Sequence, residues 1–257
     1  LGIEERIMGK ADLHIHTAYS SDGTATVAAT LEYVVQQTDL DVIAITDHDE
    51  IDGALEALTL APKYGIEVIP GCEITTADGH LLAYFITERV PAHLSLVETI
   101  EHVAALGGIC VAAHPGGRWR WCLQEHHIRH ALTQPGLAEI LVGIEAYNAS
   151  LPNLHINEKA TAMQQQLGLA QVTNSDAHLL WMIGWAATTF PGKSALDLRQ
   201  ALIERTTAAA ITPRSPYFYG SYGWRQLLRS LGYVQTVAEA PGRPITLRRF
   251  YPTMRYA

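Results

Sequence analysis

The sequence predicts an α/β fold, a TIM-like barrel with a short C-terminal extension, on three observations. Apolar strand-like runs alternate with amphipathic helical ones along most of the 257 residues. No G-x-G-x-x-G turn follows the first strand, which argues against a dinucleotide-binding open sheet. Clusters of His, Asp and Glu recur at the predicted strand ends, and in α/β barrels the C-terminal strand ends converge on one mouth.

The elements follow in order. Strand-like runs occupy Ala11–His16, Asp41–Thr46, Glu67–Gly71, Leu81–Ile86, Ile109–Ala113, Val142–Ala146 and Leu169–Thr173, with a short one at Ala208–Ile211. Helical spacing of Val27, Leu31, Val34 and Val35 marks Thr26–Gln37. Gly53–Tyr64, Leu94–Leu106, Leu123–Leu132, Leu154–Leu167 and Ala195–Glu204 behave alike. Asp52 and Ser194 are placed as N-caps, and Gly65, Gly107 and Gly168 as helix terminators. Strands each mostly followed by a helix imply a parallel sheet. Past Thr212-Pro-Arg-Ser-Pro216 the composition turns to Tyr, Gly and Arg, with a helical run at Trp224–Leu231 and a strand at Ile245–Phe250. The expected division is a barrel over 8–214 and an extension over 215–257. Met8-Gly9-Lys10 reads as a natural start, with the residues before it an addition.

Composition narrows the function classes. At 48% hydrophobic, the chain can bury a sizeable core. No apolar run approaches the roughly 18 residues of a membrane span. Cys72, Cys110 and Cys122 form an odd, sparse set without C-x-x-C, which points to reduced thiols and a cytoplasmic setting. Net charge is −8, but from Arg214 onward seven arginines face only Glu239, a balance of +6 that leaves −14 for the rest. An acidic barrel does not suggest broad nucleic-acid binding, whereas the basic tail keeps a limited version of it open.

Twelve histidines are the compositional outlier. In Asp12-Leu-His-Ile-His-Thr17, His14 and His16 leave one face of a strand together. Further clusters are Asp22 in Ser20-Ser-Asp-Gly23, Thr46-Asp-His-Asp49, Gly71-Cys-Glu73, His80, His114-Pro-Gly-Gly117, Glu145-Ala-Tyr-Asn148 and Asn174-Ser-Asp-Ala-His178. The candidate ligands are His14, His16, Asp22, His48, Glu73, His80, His114, Asp176 and His178. One zinc ion takes about four ligands, so nine suit two or three ions with a bridging carboxylate. Mixed imidazole and carboxylate donors suit Zn, Mn or Fe. Each residue has a bland alternative: Asp22 as a turn residue, Asp47 and Asp49 as helix caps, His80 as a surface histidine. Glu73 resists one, because a lone buried carboxylate is costly. His93, His102, His126, His127, His130 and His155 lack the strand-end placement and read as surface or helix residues.

Taken in order, these motifs resemble the PHP family, named for polymerase and histidinol phosphatase, over roughly Lys10 to Arg214. The resemblance implies a distorted (β/α)7 barrel around a trinuclear metal centre. By position, His14, His16, Glu73 and Asp176 would hold one ion. Glu73 would bridge to a second with His80 and His114. Asp22, His48 and His178 would hold the third, with Asp22 where other members have histidine. It further implies a metal-dependent phosphoesterase acting on phosphomonoesters, nucleotides or short oligonucleotides.

The expected reaction is direct hydrolysis of a phosphate ester by a metal-activated hydroxide, with Asp47 as an alternative proton acceptor and helix capping as its competing role. Arg118, Arg120 and Arg214 are candidates for binding the substrate phosphate, with a solvated loop as the alternative. Trp119 and Trp121 would stack a base or pack the loop. Two rival functions remain. One is an amidohydrolase-type C–N hydrolase, disfavoured because Lys63, Lys159 and Lys193 lie in helices or loops and not at a strand end. The other is a nucleic-acid-binding module with structural metals, using the tail and Tyr217, Phe218, Tyr219 and Tyr222.

Overall fold

The computed structural model describes residues 7–150 and 154–212, together with 220, 224, 227, 233–236 and 246–249. Nine strands form one sheet: β1 (Met8–Ile15), β2 (Val42–Ile45), β3 (Glu67–Thr75), β4 (His80–Tyr84), β5 (Ile109–Ala112), β6 (Leu141–Asn148), β7 (Ala170–Asn174), β8 (Ala186–Pro191) and β9 (Ala208–Ile211). Their spatial order is β7-β6-β5-β4-β3-β2-β1-β8-β9. Six helices connect them: α1 (Val27–Gln37), α2 (Asp52–Tyr64), α3 (Leu96–Ala105), α4 (Glu125–Leu132), α5 (Leu154–Leu167) and α6 (Ala195–Glu204). The sheet curls until β7 meets β1 and β8. An isolated bridge joins Ile15 to Ala177. The Thr188 hydroxyl accepts from Thr173 N at 2.9 Å and lies 3.0 Å from Thr173 O. The result is a nearly closed barrel, as the sequence predicts.

Two core layers hold it. One lies between sheet and helices, including Leu31, Val34, Ile43, Ile45 and Ile100. The other gathers the opposite strand face, including Leu13, Val42, Ala44, Leu82, Val111 and Val172, together with Leu198, Ala201 and Leu202 of α6. The α6 backbone meets the start of β3, where Ala195 N donates to Glu67 Oε2 at 2.5 Å. Helix α6 therefore stops the barrel at the end opposite the histidine-bearing loops. Its start carries the expected cap, Ser194, in a capping box with Asp197.

The structure corrects four expectations. The sheet is not uniformly parallel, because β4 runs antiparallel to β3 and β5, and β8 antiparallel to β1 and β9. Glu73 is not past a strand end: β3 continues to Thr75 and pairs Glu73 with Leu82. Asp52 does not cap α2; the cap position is Ile51, without a side-chain bond, and Asp52 lies in the first turn. Finally, Ala186–Pro191 forms an additional strand, β8. Its small residues, Ala-Ala-Thr-Thr, carry little apolar periodicity, and Gly184 and Gly192 bracket it in the left-handed region.

Gly65 ends α2 with φ 70°. Past the expected boundary at residue 214, β10 (Tyr233–Thr236) pairs antiparallel with β11 (Thr246–Arg249), the latter inside the expected strand Ile245–Phe250. Arg214, Tyr217, Phe218, Tyr219, Tyr222 and most of Trp224–Leu231 lie outside the described residues. Among the described residues no helix is long and apolar enough to cross a membrane.

Candidate metal centre

The first strand places its histidines with the help of a bulge. Ala11 pairs with Val42 and Asp12 with Ile43, but Ile15 pairs with Ile45, so β1 carries one extra residue between Asp12 and Ile15. The bulge shifts the phase. Ala11 and Leu13 join the inner core layer, whereas Ile15 joins the layer beneath the helices. His14 and His16 are carried together into the pocket, their ring centroids 5.0 Å apart. Reversal of β4 does the same for His80. Its first residue reaches the rim where β1, β3 and β5 end, and His80 Nδ1 lies 2.8 Å from Glu73 Oε1.

Glu73 is the hub. Its Oε2 lies 3.1 Å from His14 Nε2, 3.2 Å from His16 Nε2 and 3.2 Å from His48 Nδ1. Its Oε1 lies 2.8 Å from His80 Nδ1 and 2.9 Å from His114 Nε2. One carboxylate thus divides five imidazoles into two groups. A third group forms around Asp22, whose Oδ2 is 3.3 Å from both His48 Nε2 and His178 Nε2. Asp176 Oδ1 closes the set at 3.4 Å from His14 Nε2 and 3.2 Å from His16 Nε2. All nine expected residues therefore meet in one pocket.

Behind three of the histidines stands a second layer that fixes their tautomers. His14 Nδ1 faces Glu145 Oε1 at 2.9 Å, and a carboxylate only accepts, so Nδ1 carries the proton. The Ser20 hydroxyl donates to Asp47 Oδ1 and accepts from His48 N, so His16 Nδ1, 3.2 Å away, must donate to it. His178 Nδ1 donates to the Asp176 carbonyl at 2.9 Å. In each case Nε2 is left pointing into the pocket. The buried Nε2 atoms of His14 and His16 make no hydrogen bond, although carboxylate oxygens surround them. Outward Nδ1 donors with inward Nε2 lone pairs are the arrangement metal-bound histidines adopt. Three sets offer donor atoms close enough to share an ion: His16, Asp22, His48 and His178; His14, His16 and Glu73; and His48, Glu73 and His80. The residues present fit divalent metal ions.

Electrostatics point the same way. Burial alone would push the Glu73 carboxyl up, but the charges of His48, His14 and His80 hold it well below its usual range. Burial likewise opposes charge on His14 and His16, and is outweighed on His14 by Asp176, Glu73 and Glu145, and on His16 by Asp176 and Glu73. Both imidazoles are raised. The pocket therefore favours positive charge, which protons or metal ions supply in competition. Backbone strain gathers here too: Asp49, His114 and Asp176 have φ of 53°, 28° and 51°.

Sequence reasoning assigned no role to Glu145, although its cluster stood out. Its carboxylate accepts from His14 Nδ1, Asn174 Nδ2, His114 N and Asn148 Nδ2, at 2.8 to 3.0 Å. Asn148 and Ser150 also donate to Asp176 Oδ2. The available signal was an acid inside an apolar run, the same one that marked Glu73. Asp47 caps no helix. Its Oδ1 accepts from Thr17 N, Ser20 N and Ser20 Oγ, and its Oδ2 from Thr17 Oγ1. Both oxygens are committed to the loop after β1. Arg118 and Arg120 line a neighbouring open cleft of about 590 Å³ with Lys159. Cys122, also on its wall, approaches His114 Nδ1 at 4.0 Å. Of the other histidines, only His127 reaches that cleft.

Comparison with known proteins gives a consistent picture. The PHP domain profile matches residues 12–180, and a PHP-associated profile matches residues 155–207. A phosphoribosyl 1,2-cyclic phosphate 1,2-diphosphodiesterase of Eggerthella lenta is 30% identical over 48% of this chain and 53% of its own. A 3',5'-nucleoside bisphosphate phosphatase of Chromobacterium violaceum is 23% identical over 77% of this chain and 72% of its own. Among solved structures, a two-domain protein of Bacteroides vulgatus described as containing a PHP-like metal-dependent phosphoesterase aligns with TM-score 0.68 at 21% identity, over 94% of this chain and 75% of the other.

Proposed function

The chain belongs to the PHP domain family, and from that premise we propose that it hydrolyses phosphate esters of small phosphorylated molecules at a trinuclear metal centre. The division proposed is a catalytic barrel over 8–214 and an extension over 215–257. The observation that carries the reading is Glu73, a buried carboxylate whose two oxygens serve two groups of imidazoles, beside His14 and His16 nitrogens without hydrogen bonds. Two relatives act on a cyclic phosphate and a nucleoside bisphosphate, which favours the same class of bond here.

His14, His16, Glu73 and Asp176 would hold one ion, Glu73, His80 and His114 a second, and Asp22, His48 and His178 a third. The donor set suits Zn, Mn or Fe. Bound ions supply Lewis acidity and acidify water into a nucleophile near neutral pH. The chain's own residues do the rest. Glu73 sets the spacing between the groups by offering one oxygen to each. Glu145 keeps the His14 proton on Nδ1 and anchors the His114 backbone. Asp47 is a positioning residue that ties down Thr17 and Ser20 and, through Ser20, orients His16. Arg118 and Arg120 bring positive charge to the substrate from the cleft side.

The test is a panel of phosphomonoesters, cyclic nucleotides and 5'-phosphorylated oligonucleotides, assayed with metal-analysed protein loaded with Mn, Zn or Fe. Hydrolysis that chelator abolishes is the expected result. Inertness toward all of them under every loading would overturn the reading.

A further inference from the structure

We propose that the cleft beside His114 is a leaving-group subsite, in which Lys159, with Arg118 and Arg120, binds a second negative charge carried by the alcohol that departs. This rests on the phosphoesterase reading. The cleft shares Gly116, Gly117 and Cys122 with the loop that follows His114, and Cys122 Sγ is 4.0 Å from His114 Nδ1. The loop that frames it thus borders the pocket at His80, whose N donates to Trp121 O, and at the Nδ1 face of His114. A leaving group that reaches over this border from a phosphoryl group in the metal pocket would enter the cleft.

Three cations in one cleft need a reason in a chain of net charge −8. Among the described residues Arg89 and Arg129 pair with Glu50 and Glu125, and Lys10 and Lys193 with Asp39 and Asp41. Among the described residues no such pair engages Arg118, Arg120 or Lys159; Lys63, Arg199 and Arg205 share that lack, but none of those lines this cleft. The one acid on the cleft wall, Asp78, is occupied: its Oδ2 accepts from Leu96 N at 2.8 Å at the start of α3, and its Oδ1 faces His127. Lys159 projects from α5 across Gly116, where an added Cβ would meet the Lys159 Cβ at 3.2 Å.

The loop backbone is tied down while its side chains are exposed. Trp121 O accepts from His80 N at 2.9 Å and Leu123 O from Gly116 N at 2.8 Å. Gln124 Nε2 donates to Gly117 O and Cys122 O. Gly117 is required, because a Cβ there would lie 2.5 Å from Cys122 Sγ. On this frame Arg118, Trp119, Arg120 and Trp121 alternate charge and ring. The indoles of Trp119 and Trp121 stack at 5.5 Å and 15° while staying 42% and 46% exposed. Exposed cations beside exposed indoles suit a leaving group that carries an anion and a planar ring.

The test compares adenosine 3',5'-bisphosphate, whose leaving group carries a phosphate, with adenosine 5'-monophosphate, whose leaving group is neutral. Metal-loaded wild type should favour the bisphosphate in kcat/KM. Lys159→Ala should erase about tenfold to a hundredfold of that preference, leave the monophosphate rate unchanged, and be rescued by Lys159→Arg. Calorimetric binding of adenosine 5'-monophosphate to metal-free protein should weaken by a similar factor in Lys159→Ala, while adenosine binding does not change. Equal losses on both esters, or binding indifferent to Lys159, would overturn the subsite. Lys159-dependent binding without hydrolysis of any ester would keep the subsite and overturn the phosphoesterase reading.

Discussion

Around Glu73, the proposed ligand side chains have partners at their backs: Glu145 behind His14, Ser20 behind His16, Asn148 and Ser150 behind Asp176. Along Arg118–Trp121 the reverse holds, with the backbone tied down and the side chains exposed. The pocket is buried and over-determined, as a site must be that holds several charged groups in fixed geometry. The cleft is open and under-determined, as a surface can be that only selects what is bound. In the proposed reading the same rim separates the chemistry from the choice of substrate. Changes in the pocket should remove metal and rate together, and changes in the cleft should touch substrate preference alone.

The largest effect is expected at Glu73. Glu73→Gln keeps the shape but removes the charge shared by five imidazoles, and should lower kcat by about 1,000-fold or more with loss of bound metal. Elemental analysis beside a phosphatase assay reads both, and full metal content with full rate would break the comparison. Glu145→Gln leaves the ligands in place but loosens His14, so metal affinity should fall about 10- to 100-fold, measured by competition with a chelating dye. An unchanged affinity would mean that the outer layer does not matter. Arg118→Ala should raise KM about tenfold with kcat and metal content intact, the signature of lost binding that is uniform along the reaction. A matching fall in kcat would place Arg118 in the pocket's chemistry. Ser194→Ala, at the far end of the barrel, should lower stability by about 1 kcal/mol through its capping box, seen as a lower Tm without change in activity.

The difference between the two regions also explains how much could be read from the sequence. The pocket was legible because the proposed ligands are rare residue types in or beside apolar strands: His14 and His16 one residue apart, Asp176 and His178 likewise, Glu73 inside an apolar run. Glu145 has the same signature, but its carboxylate bonds to His14, Asn148, Asn174 and the His114 backbone, a distinction that spacing does not carry. The barrel was legible from alternating patterns, whereas the reversal of β4 was not, since His80–Tyr84 has the same apolar pattern in either direction. Strand β8 was hidden by its small residues. Lys159 was set aside as a helix residue, and only the packing of α5 over Gly116 brings it beside Arg118 and Arg120. Asp47 reads in sequence as a base or a cap, and its four bonds to Thr17 and Ser20 follow only from the fold.

The most direct test of the central claim is the metal dependence of phosphate-ester hydrolysis by protein of measured metal content. The account predicts about two or three transition-metal ions per chain, activity that disappears when a chelator removes them, and recovery on adding back Mn, Zn or Fe. Undiminished hydrolysis by protein stripped of metal would contradict it.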